Sequence, residues 1–382
     1  MQRSDILIVG AGPTGMALAV ALAQAGLQPM VVDARTANAA HNDKRILALS
    51  HGSQQILERL GVWRQMEATP IATIHVSQQG GFGRALLRAA DYAVPALGYV
   101  AAASSLAAAL KERLDSLGLA VRHECEVTNL AAGADDVLVS HAGAPPISAR
   151  LVALAEGTVS ADNDRSVSSR DYRQHALICT ARPYAPHGGI AYERFTPHGP
   201  LALLPFGRDY AVVFTVPAEA SDALLGLDDT AFLGELQRCI GNRVRLVSVS
   251  ARARYPLQLR YRREPVGRRT VWLGNAAQTL HPVAGQGFNL ALRDVWSLAE
   301  TLAGANLDHD PGAAALLERY ARARRLDRIG AIGFTDTLIR VFSNNFGPWR
   351  VARGGGLAAL ELLPPLKHFV AKRMMFGARA WP

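Results

Sequence analysis

The chain has 382 residues, of which 49% are hydrophobic and 19% are charged. A chain of this length usually divides into two packed cores, and this balance is that of a folded protein rather than a disordered one. The net charge of +9 suits nucleic acid, an anionic membrane surface or an acidic partner. No zinc finger, RNA-recognition signature or concentrated basic arm accompanies the charge, so we expect no nucleic-acid partner.

Cysteine usage and hydropathy narrow the class of protein further. The three cysteines are far apart and never in a C-x-x-C spacing, which predicts neither a disulfide framework nor a metal site. Residues 5–9 read as a strand rather than as part of a signal peptide, so we expect a cytoplasmic location. No apolar run approaches the ~20 residues that a membrane-spanning helix needs.

The first 33 residues predict a β-α-β unit. The apolar run 5–9 is followed by an apolar stretch at 14–25, which indicates a helix covered on most sides, and then by a second strand at 29–33. Such a unit at the start of a chain is typical of an α/β fold with a parallel sheet.

Three glycines join the first strand to the helix in G-x-G-x-x-G spacing: Gly10, Gly12 and Gly15. In that order they suit a tight turn, close approach of the backbone to a pyrophosphate, and close helix-strand packing. Asp33, at the end of the second strand, is placed to accept hydrogen bonds from ribose hydroxyls. The pattern predicts a dinucleotide site without separating NAD from FAD, and an ordinary glycine-rich turn is the alternative.

The remaining elements suggest an insertion. Helices are predicted from Ser50 and over 103–117, and strands over 71–79, 84–88, 119–124, 137–140 and 147–155. Between 175 and 255, β-branched and aromatic stretches broken by Pro and Gly predict an antiparallel sheet in a second domain. A buried strand at 270–277 and a helix at 286–302 then predict that the first domain resumes, and two helical segments follow at 311–340 and 357–377.

A second glycine motif lies in LGNAAQTLHPVAGQGFNLALRD, residues 273–294. Gly285, Gly287 and Asn289 open a helix after a buried strand, so backbone N–H groups and the positive helix end would face an anionic group. Reduced flavin carries negative charge near N1 and the C2 carbonyl, and a helix amino end there would stabilise it.

This segment resembles the family of FAD-dependent aromatic-ring hydroxylases, whose pattern reads roughly GD, then Pro, then GxGxN, then Asp in the helix. Asn275 stands where most of the family has Asp, and Gln278 stands where many have His. The variant GNAAQTLHP is similar to the ubiquinone-biosynthesis branch, in particular to enzymes acting on 2-octaprenyl-6-methoxyphenol. Arg45 in KRILALSHGS and the segment ERFTPHGPLALLP, 193–205, agree with that branch, so the resemblance covers nearly the whole chain.

The resemblance implies noncovalent FAD, with NAD(P)H as co-substrate and no metal, and hydroxylation of a polyprenylated phenol by O2 through a C4a-hydroperoxyflavin. It implies cofactor contacts at Gly10, Gly12, Gly15, Asp33, Arg35, Arg45, Gly274, Asn275, Gly285, Gly287, Phe288 and Asn289. It implies a substrate pocket at Phe195, Leu203 and Pro205. His281 and Pro282 would lie by the flavin's reactive edge, where His281 either assists phenol deprotonation or only shapes the pocket.

One motif departs from the family. D-G-x-x-S appears as Glu156-Gly157-Thr158-Val159-Ser160, and the usual arginine three residues after the serine is absent, with Arg165 later. That motif is associated with FAD and NAD(P)H together. A hydroxylase of another ring position, a flavin reductase or oxidase without hydroxylation, and a non-catalytic lipid- or quinone-binding scaffold therefore stay open as alternatives.

The domain prediction and the carboxyl-terminal tail complete the expectations. The predicted division is an FAD-binding domain of 1–75, 96–170 and 256–305, a substrate domain of 76–95 and 171–255, and a helical region of 306–382. The tail 366–381 mixes apolar and basic side chains. It suits a peripheral helix on the inner face of the cytoplasmic membrane, a helix docked on the protein's own core, or one that binds other ubiquinone-biosynthesis proteins.

Overall fold

A computed structural model describes residues 1–37, 43–142, 144–157, 166–304, 310–342 and 347–379. Within these ranges the strands are β1 Gln2–Val9, β2 Pro29–Val32, β3 Ile46–Ser50, β4 Ala68–Ile71, β5 Thr73–Gln78, β6 Arg84–Arg88, β7 Gly98–Ala102, β8 Val121–Arg122, β9 Val127–Ala132, β10 Val137–His141, β11 Ala144–Leu154, β12 Val167–Pro183, β13 Ile190–Thr196, β14 Gly199–Phe206, β15 Asp209–Pro217, β16 Leu246–Val249, β17 Ala253–Arg262, β18 Val266–Gly267, β19 Thr270–Trp272 and β20 Gln278–Thr279.

The α-helices of the same ranges are α1 Pro13–Gln24, α2 His51–Arg59, α3 Ala103–Ser116, α4 Ser221–Leu225, α5 Asp229–Ile240, α6 Gln286–Ala303, α7 Ala314–Phe342, α8 Gly347–Leu362 and α9 Pro364–Phe376. Among these described helices, none is both long enough and apolar enough to cross a membrane.

The first sheet is built on the predicted β-α-β unit. Its parallel strands run in the order β19-β11-β1-β2-β8, with β18 antiparallel at one edge and the β9–β10 hairpin on the first half of β11. Leu18, Leu298 and other side chains of α1, α3 and α6 cover one face, and Val137 and Val139 of the hairpin join the core on the other. Burial on both faces explains why β1 reads as an uninterrupted apolar run.

The second sheet runs in the order β20-β17-β12-β15-β14-β13-β5-β6, with β16 beside β12. Every pairing in it is antiparallel except the one between β13 and β5. A three-stranded sheet, β3-β7-β4, shares no strand pairing with it and packs against it through Ile71 and Val100. Most of the second sheet comes from the segment between β11 and β19, which are neighbours in the first sheet. The predicted fold is confirmed: a Rossmann-like sheet, an inserted antiparallel sheet and carboxyl-terminal helices.

Two helix ends show how local sequence sets the boundaries. Ser50 caps α2 as predicted, because its Oγ accepts a hydrogen bond from the backbone N–H of Ser53 at 3.2 Å. The helix predicted over 357–377 is instead two helices, since α8 ends at Leu362 and α9 begins at Pro364. Proline fixes its φ and has no N–H to donate, so it starts a helix more readily than it continues one.

Candidate active site

One cavity of about 1010 Å³ connects the two main sheets. At one end it is lined by the first glycine turn and at the other by apolar side chains of the second sheet and of α7, α8 and α9. This volume is at the upper limit for small-molecule sites. The cavity can therefore hold a large cofactor and part of a second ligand.

The glycine turn has the geometry that its spacing predicts. Gly10 has φ +103°, which disfavours any side chain, and a Cβ on Gly15 would lie 1.9 Å from the carbonyl oxygen of Gly10. A Cβ on Gly12 would meet only Arg35 Nη2, at 3.8 Å, and Gly12 lines the cavity. Gly10 and Gly15 are thus required by the fold, whereas Gly12 leaves its space to the cavity.

Asp33 lies at the cavity wall, 4% exposed, and is held by its neighbours. Its Oδ2 accepts from the backbone N–H of Ala11 at 2.6 Å and from Arg35 Nη2 at 2.8 Å, and its Oδ1 accepts from Arg35 N and Nε. Burial acts to raise the pKa of Asp33, but these hydrogen bonds outweigh it and lower the pKa below its usual value. The carboxylate is ionised, and Arg35 places a guanidinium beside Gly12.

Arg45 also lines the cavity, where it pairs with Asp43. Arg45 Nη2 lies 2.6 Å from Asp43 Oδ2, and the Arg45 side chain remains 47% exposed. The resemblance implied a position near flavin and substrate for this arginine, and the structure brings it to the cavity that contains the first glycine turn.

The second glycine motif lines the same cavity as the first. Gly285, Gly287 and Phe288 line the cavity at the start of α6, whose amino end has no side-chain cap. A Cβ on Gly287 would meet nothing within 4 Å. Asn275 lines the same wall, and Gly274, with φ +56°, packs against Thr14 in the first turn of α1. Two glycine cradles and an uncapped helix amino end suit a cofactor with a pyrophosphate and an anionic ring.

Asn289, the last residue of GxGxN, has a structural role in the described residues. Its Oδ1 accepts from Ser50 N and Ser53 Oγ, both at 2.7 Å, and its Nδ2 donates to the carbonyls of Ala48 at 2.9 Å and Gly285 at 2.7 Å. These four bonds use the whole capacity of an amide side chain. Asn289 therefore fastens the start of α2 to the start of α6 and leaves the cavity contacts to its neighbours.

A buried polar network behind this wall was not foreseen from the sequence. Gln278 Nε2 donates to Asp294 at 2.7 Å, and Gln278 Oε1 accepts from Arg328 Nε at 3.0 Å. Arg324 joins Asp294 to Asp327, with both pairs at most 5% exposed. The family pattern contained Gln278 and the helix Asp, but nothing in the local sequence paired them with arginines of α7. The network ties β20 and α6 to α7.

His281 packs inside the protein rather than at the cavity wall. It is 1% exposed, its Nδ1 accepts from the backbone N–H of Val283 at 3.1 Å, and its ring meets Tyr172 edge to face. Burial lowers its pKa to about 3, so the imidazole is neutral. Pro282 does line the cavity. His281 is thus a core residue next to the lining residue Pro282, and both of its predicted roles stay predictions.

The apolar end of the cavity is formed by alternate residues of the second sheet, because successive side chains of a strand point to opposite faces. On β13, Phe195 lines it as predicted, and on β14 the lining residues are Ala202 and Leu204. Leu203, predicted to line the pocket, instead packs under α5 with Phe232 on the opposite face. Pro205 is two residues further along the same face and does not line the cavity either.

One acidic residue at this apolar end of the cavity was not predicted from the sequence. Glu193, two residues before Phe195 on β13, lines the cavity, and its Oε1 is buried without a hydrogen-bond partner among the described residues. Burial raises its pKa to about 7. The sequence did point to its neighbourhood, because Glu193 is the first residue of the segment ERFTPHGPLALLP. Which face of the sheet its side chain occupies, however, depends on strand pairing.

The motif that differs from the family pattern, which begins at Glu156, lies only partly within the described residues. Glu156 and Gly157 line the cavity near Asp33, and burial together with the charge of Asp33 raises the pKa of Glu156. Residues 158–165, which contain the rest of that motif and Arg165, lie outside the described residues.

Known proteins that resemble this chain also point to an FAD site. Residues 3–331 match the model of the FAD binding domain family. The chain is 35% identical to ubiquinone hydroxylase UbiL of Rhodospirillum rubrum, over 99% of this chain and 91% of that protein. It is 30% identical to the 3-demethoxyubiquinol 3-hydroxylase of Escherichia coli, over 97% and 98%. The fold of p-nitrophenol 4-monooxygenase PnpA from Pseudomonas putida superimposes with a TM-score of 0.79 at 18% identity, over 99% and 100%.

The chain belongs to the FAD binding domain family, and its full-length similarity to known hydroxylases makes it an FAD-dependent aromatic-ring monooxygenase. Within it, the chain belongs with the hydroxylases of ubiquinone biosynthesis, as its sequence motifs predicted.

Proposed function

We propose that this enzyme hydroxylates the ring of a polyprenylated phenol, with 2-octaprenyl-6-methoxyphenol as substrate and the corresponding 1,4-benzoquinol as product. The observation that supports this most is the single cavity, in which two glycine cradles at one end continue into a chamber lined by apolar side chains. An aromatic ring with an apolar tail matches that chamber, because burying apolar surface there removes it from water.

Purified holoenzyme tests the proposal directly. The enzyme is incubated with NAD(P)H, O2 and 2-octaprenyl-6-methoxyphenol, and the product is identified by mass spectrometry and by the positions of the ring protons in its NMR spectrum. We expect one added oxygen para to the existing hydroxyl. Flavin oxidation that yields only hydrogen peroxide with this and every other prenylated phenol tested would contradict the proposal.

Hydroxylation at a different ring position is the alternative, and one relative favours it. One relative, 30% identical over 97% of this chain, is named a 3-demethoxyubiquinol 3-hydroxylase. A parallel incubation with demethoxyubiquinol distinguishes the two substrates. Only with the true substrate would the amount of NAD(P)H consumed equal the amount of hydroxylated product formed.

We propose the following division of labour among the site residues. Gly12 and Arg35 contact the pyrophosphate. Asp33 accepts a hydrogen bond from the ribose and gives up one of its hydrogen bonds with Arg35 to do so. Asn275 and the amino end of α6 meet the flavin. The further cofactor-binding residues in this proposal are Gly10, Arg45, Gly285, Gly287 and Phe288, with NAD(P)H as the reductant. Gly15, Gly274 and Asn289, also predicted as cofactor contacts, hold the two glycine motifs in shape instead.

We also retain the predicted domain division, the cytoplasmic location and the peripheral role of the tail as proposals. Met374 lines the cavity and Met375 is buried, while Leu366 and Phe369 of the same helix are 43% and 55% exposed. One face of α9 thus belongs to the core, and the other is available to an anionic membrane or a biosynthetic partner.

Because deleting α9 would open the cavity, Phe369→Asp is the better test of the peripheral role. We expect holoenzyme with this substitution to keep its flavin and fold and to lose sedimentation with anionic vesicles, while Val247→Asp, on an exposed strand residue of the second sheet, retains it. Equal vesicle binding by both variants and the natural enzyme would contradict a role for α9.

A further inference from the structure

Glu193 has no task in the fold. It stands on β13 between Ala191 and Phe195, which face the cavity with it, and its register partners are Val76 on β5 and Ala202 on β14. All four neighbours are apolar. An ionisable group placed there without a partner costs stability, so its presence calls for a ligand that it can bind.

The direction of the side chain follows from its neighbours on the strand. Tyr192 and Arg194, on either side, make their side-chain contacts on the opposite face: the Tyr192 ring lies 6.2 Å from that of Tyr210, although Tyr192 is also part of the cavity lining, and Arg194 Nε donates to the carbonyl of Cys239 at 2.7 Å. Successive residues of a strand alternate, so Glu193 points into the cavity.

The surrounding elements bring few charges to this end. Above β13, the ring of Phe342 of α7 stacks on Phe195 with centroids 3.8 Å apart. Arg353 of α8 lines the cavity and donates to the carbonyl of Phe342 at 3.1 Å, and His75 of β5 lies on the other face beside Tyr192. Tyr192 is also part of the lining. The remaining titratable groups of the lining are near the glycine turns: Asp33, Arg35, Asp43, Arg45, Cys125, Glu126 and Glu156.

We propose that Glu193 is a catalytic residue that accepts the hydroxyl proton of the phenol, a role that rests on the proposed function. The O–H bond of the phenol breaks, the proton moves to a carboxylate oxygen of Glu193, and the bonding pair stays on the phenolate oxygen and spreads to the ortho and para carbons. Those carbons then become better nucleophiles toward the oxygen that the flavin cofactor and O2 supply.

The acidity of Glu193 supports this role. Burial raises its pKa to about 7, so the group is a stronger base than an ordinary carboxylate and is still ionised in a large fraction of molecules near neutral pH. Opposite charge does not stabilise the ionised form, because burial is the only cause of the shift. A hydrogen bond from a phenol would do so.

Binding and turnover of matched ligands test the proposal on holoenzyme. Affinity is measured from the perturbation of the flavin spectrum between pH 6 and pH 8, for the prenylated phenol and for its O-methyl ether, which has no proton to give. We expect the natural enzyme to prefer the phenol by about tenfold more at pH 8 than at pH 6, since ionised Glu193 accepts a charge-assisted hydrogen bond. Glu193→Gln should show no such rise, and Glu193→Asp should keep part of it.

The pH profile of kcat/KM supplies the second readout. The natural enzyme should gain activity through a pKa near 7, and Glu193→Gln should lose that limb together with about 100-fold in kcat/KM. An unchanged limb and an unchanged preference for phenol over ether in Glu193→Gln would overturn the role of Glu193 alone. Failure of the natural enzyme to oxygenate any prenylated phenol would overturn the proposed function and this inference with it.

Discussion

Asn289 and Ser50 join two helices that are far apart in sequence: the Oδ1 atom of Asn289 accepts the backbone N–H of Ser50 at 2.7 Å. With its three other bonds, this side chain holds the residues around the amino ends of α2 and α6 together. The second glycine motif is therefore stabilised by a side chain that is itself 2% exposed.

Replacing Asn289 with Ala should destabilise the protein by about 2–4 kcal/mol, because four buried polar groups lose their partner. The free energy of unfolding is measured by urea denaturation, with Asn242→Ala at an exposed position as the control. A loss below 0.5 kcal/mol, equal to that of the control, would show that this side chain does not hold the helices together.

The glycine turn yields a paired prediction. Gly12→Ala should leave the apoprotein folded and weaken FAD binding by at least about tenfold, because its Cβ meets no backbone atom and occupies cofactor space. Gly15→Ala should instead prevent stable folding, since its Cβ would lie 1.9 Å from the carbonyl oxygen of Gly10. Thermal unfolding of apoprotein and fluorescence titration with FAD measure both. Normal FAD affinity in Gly12→Ala would show that this turn does not bind the cofactor.

Glu193 should make stability depend on pH. Its pKa is raised from 4.5 to about 7, so the cost of ionising it is absent below pH 4.5 and fully present above pH 7. At pH 8 that cost is at most about 3 kcal/mol. Glu193→Gln should therefore be more stable than the natural protein at pH 8 and equally stable at pH 4.5, as measured by urea denaturation. Equal stability at both pH values would mean that the carboxylate is well solvated.

Arg324 should be needed for folding, in contrast to a nearby arginine of the same helix. Arg324→Leu leaves the carboxylates of Asp294 and Asp327 short of a partner in the core, which should cost about 3–5 kcal/mol. Arg322→Leu is the matched control. Its side chain is 72% exposed and its Nη1 lies 3.7 Å from Glu318 Oε2, so its loss should cost less than about 1 kcal/mol. Similar unfolding free energies for the two variants would contradict a structural role for the buried network.

The sequence by itself determined the parts of this protein that depend on local spacing. The turn at Gly10, Gly12 and Gly15, the β-α-β unit around it and the Ser50 cap each need only residues a few positions apart, and the structure has them where the sequence predicts. The order of elements also indicated the inserted sheet, because two antiparallel stretches stood between two strands of parallel type.

Only the tertiary structure decided which side chains meet. Leu203 and Leu204 are adjacent in sequence, yet the first packs under α5 and the second lines the cavity, since one residue along a strand reverses the face. The position of Glu193 in the cavity depends on the pairing of β13 with the distant strand β5, and Gln278 bonds to Arg328, 50 residues along the chain. Such contacts arise from the packing of sheets and helices, so the sequence names the chemical groups while their direction and partners come from the assembled core.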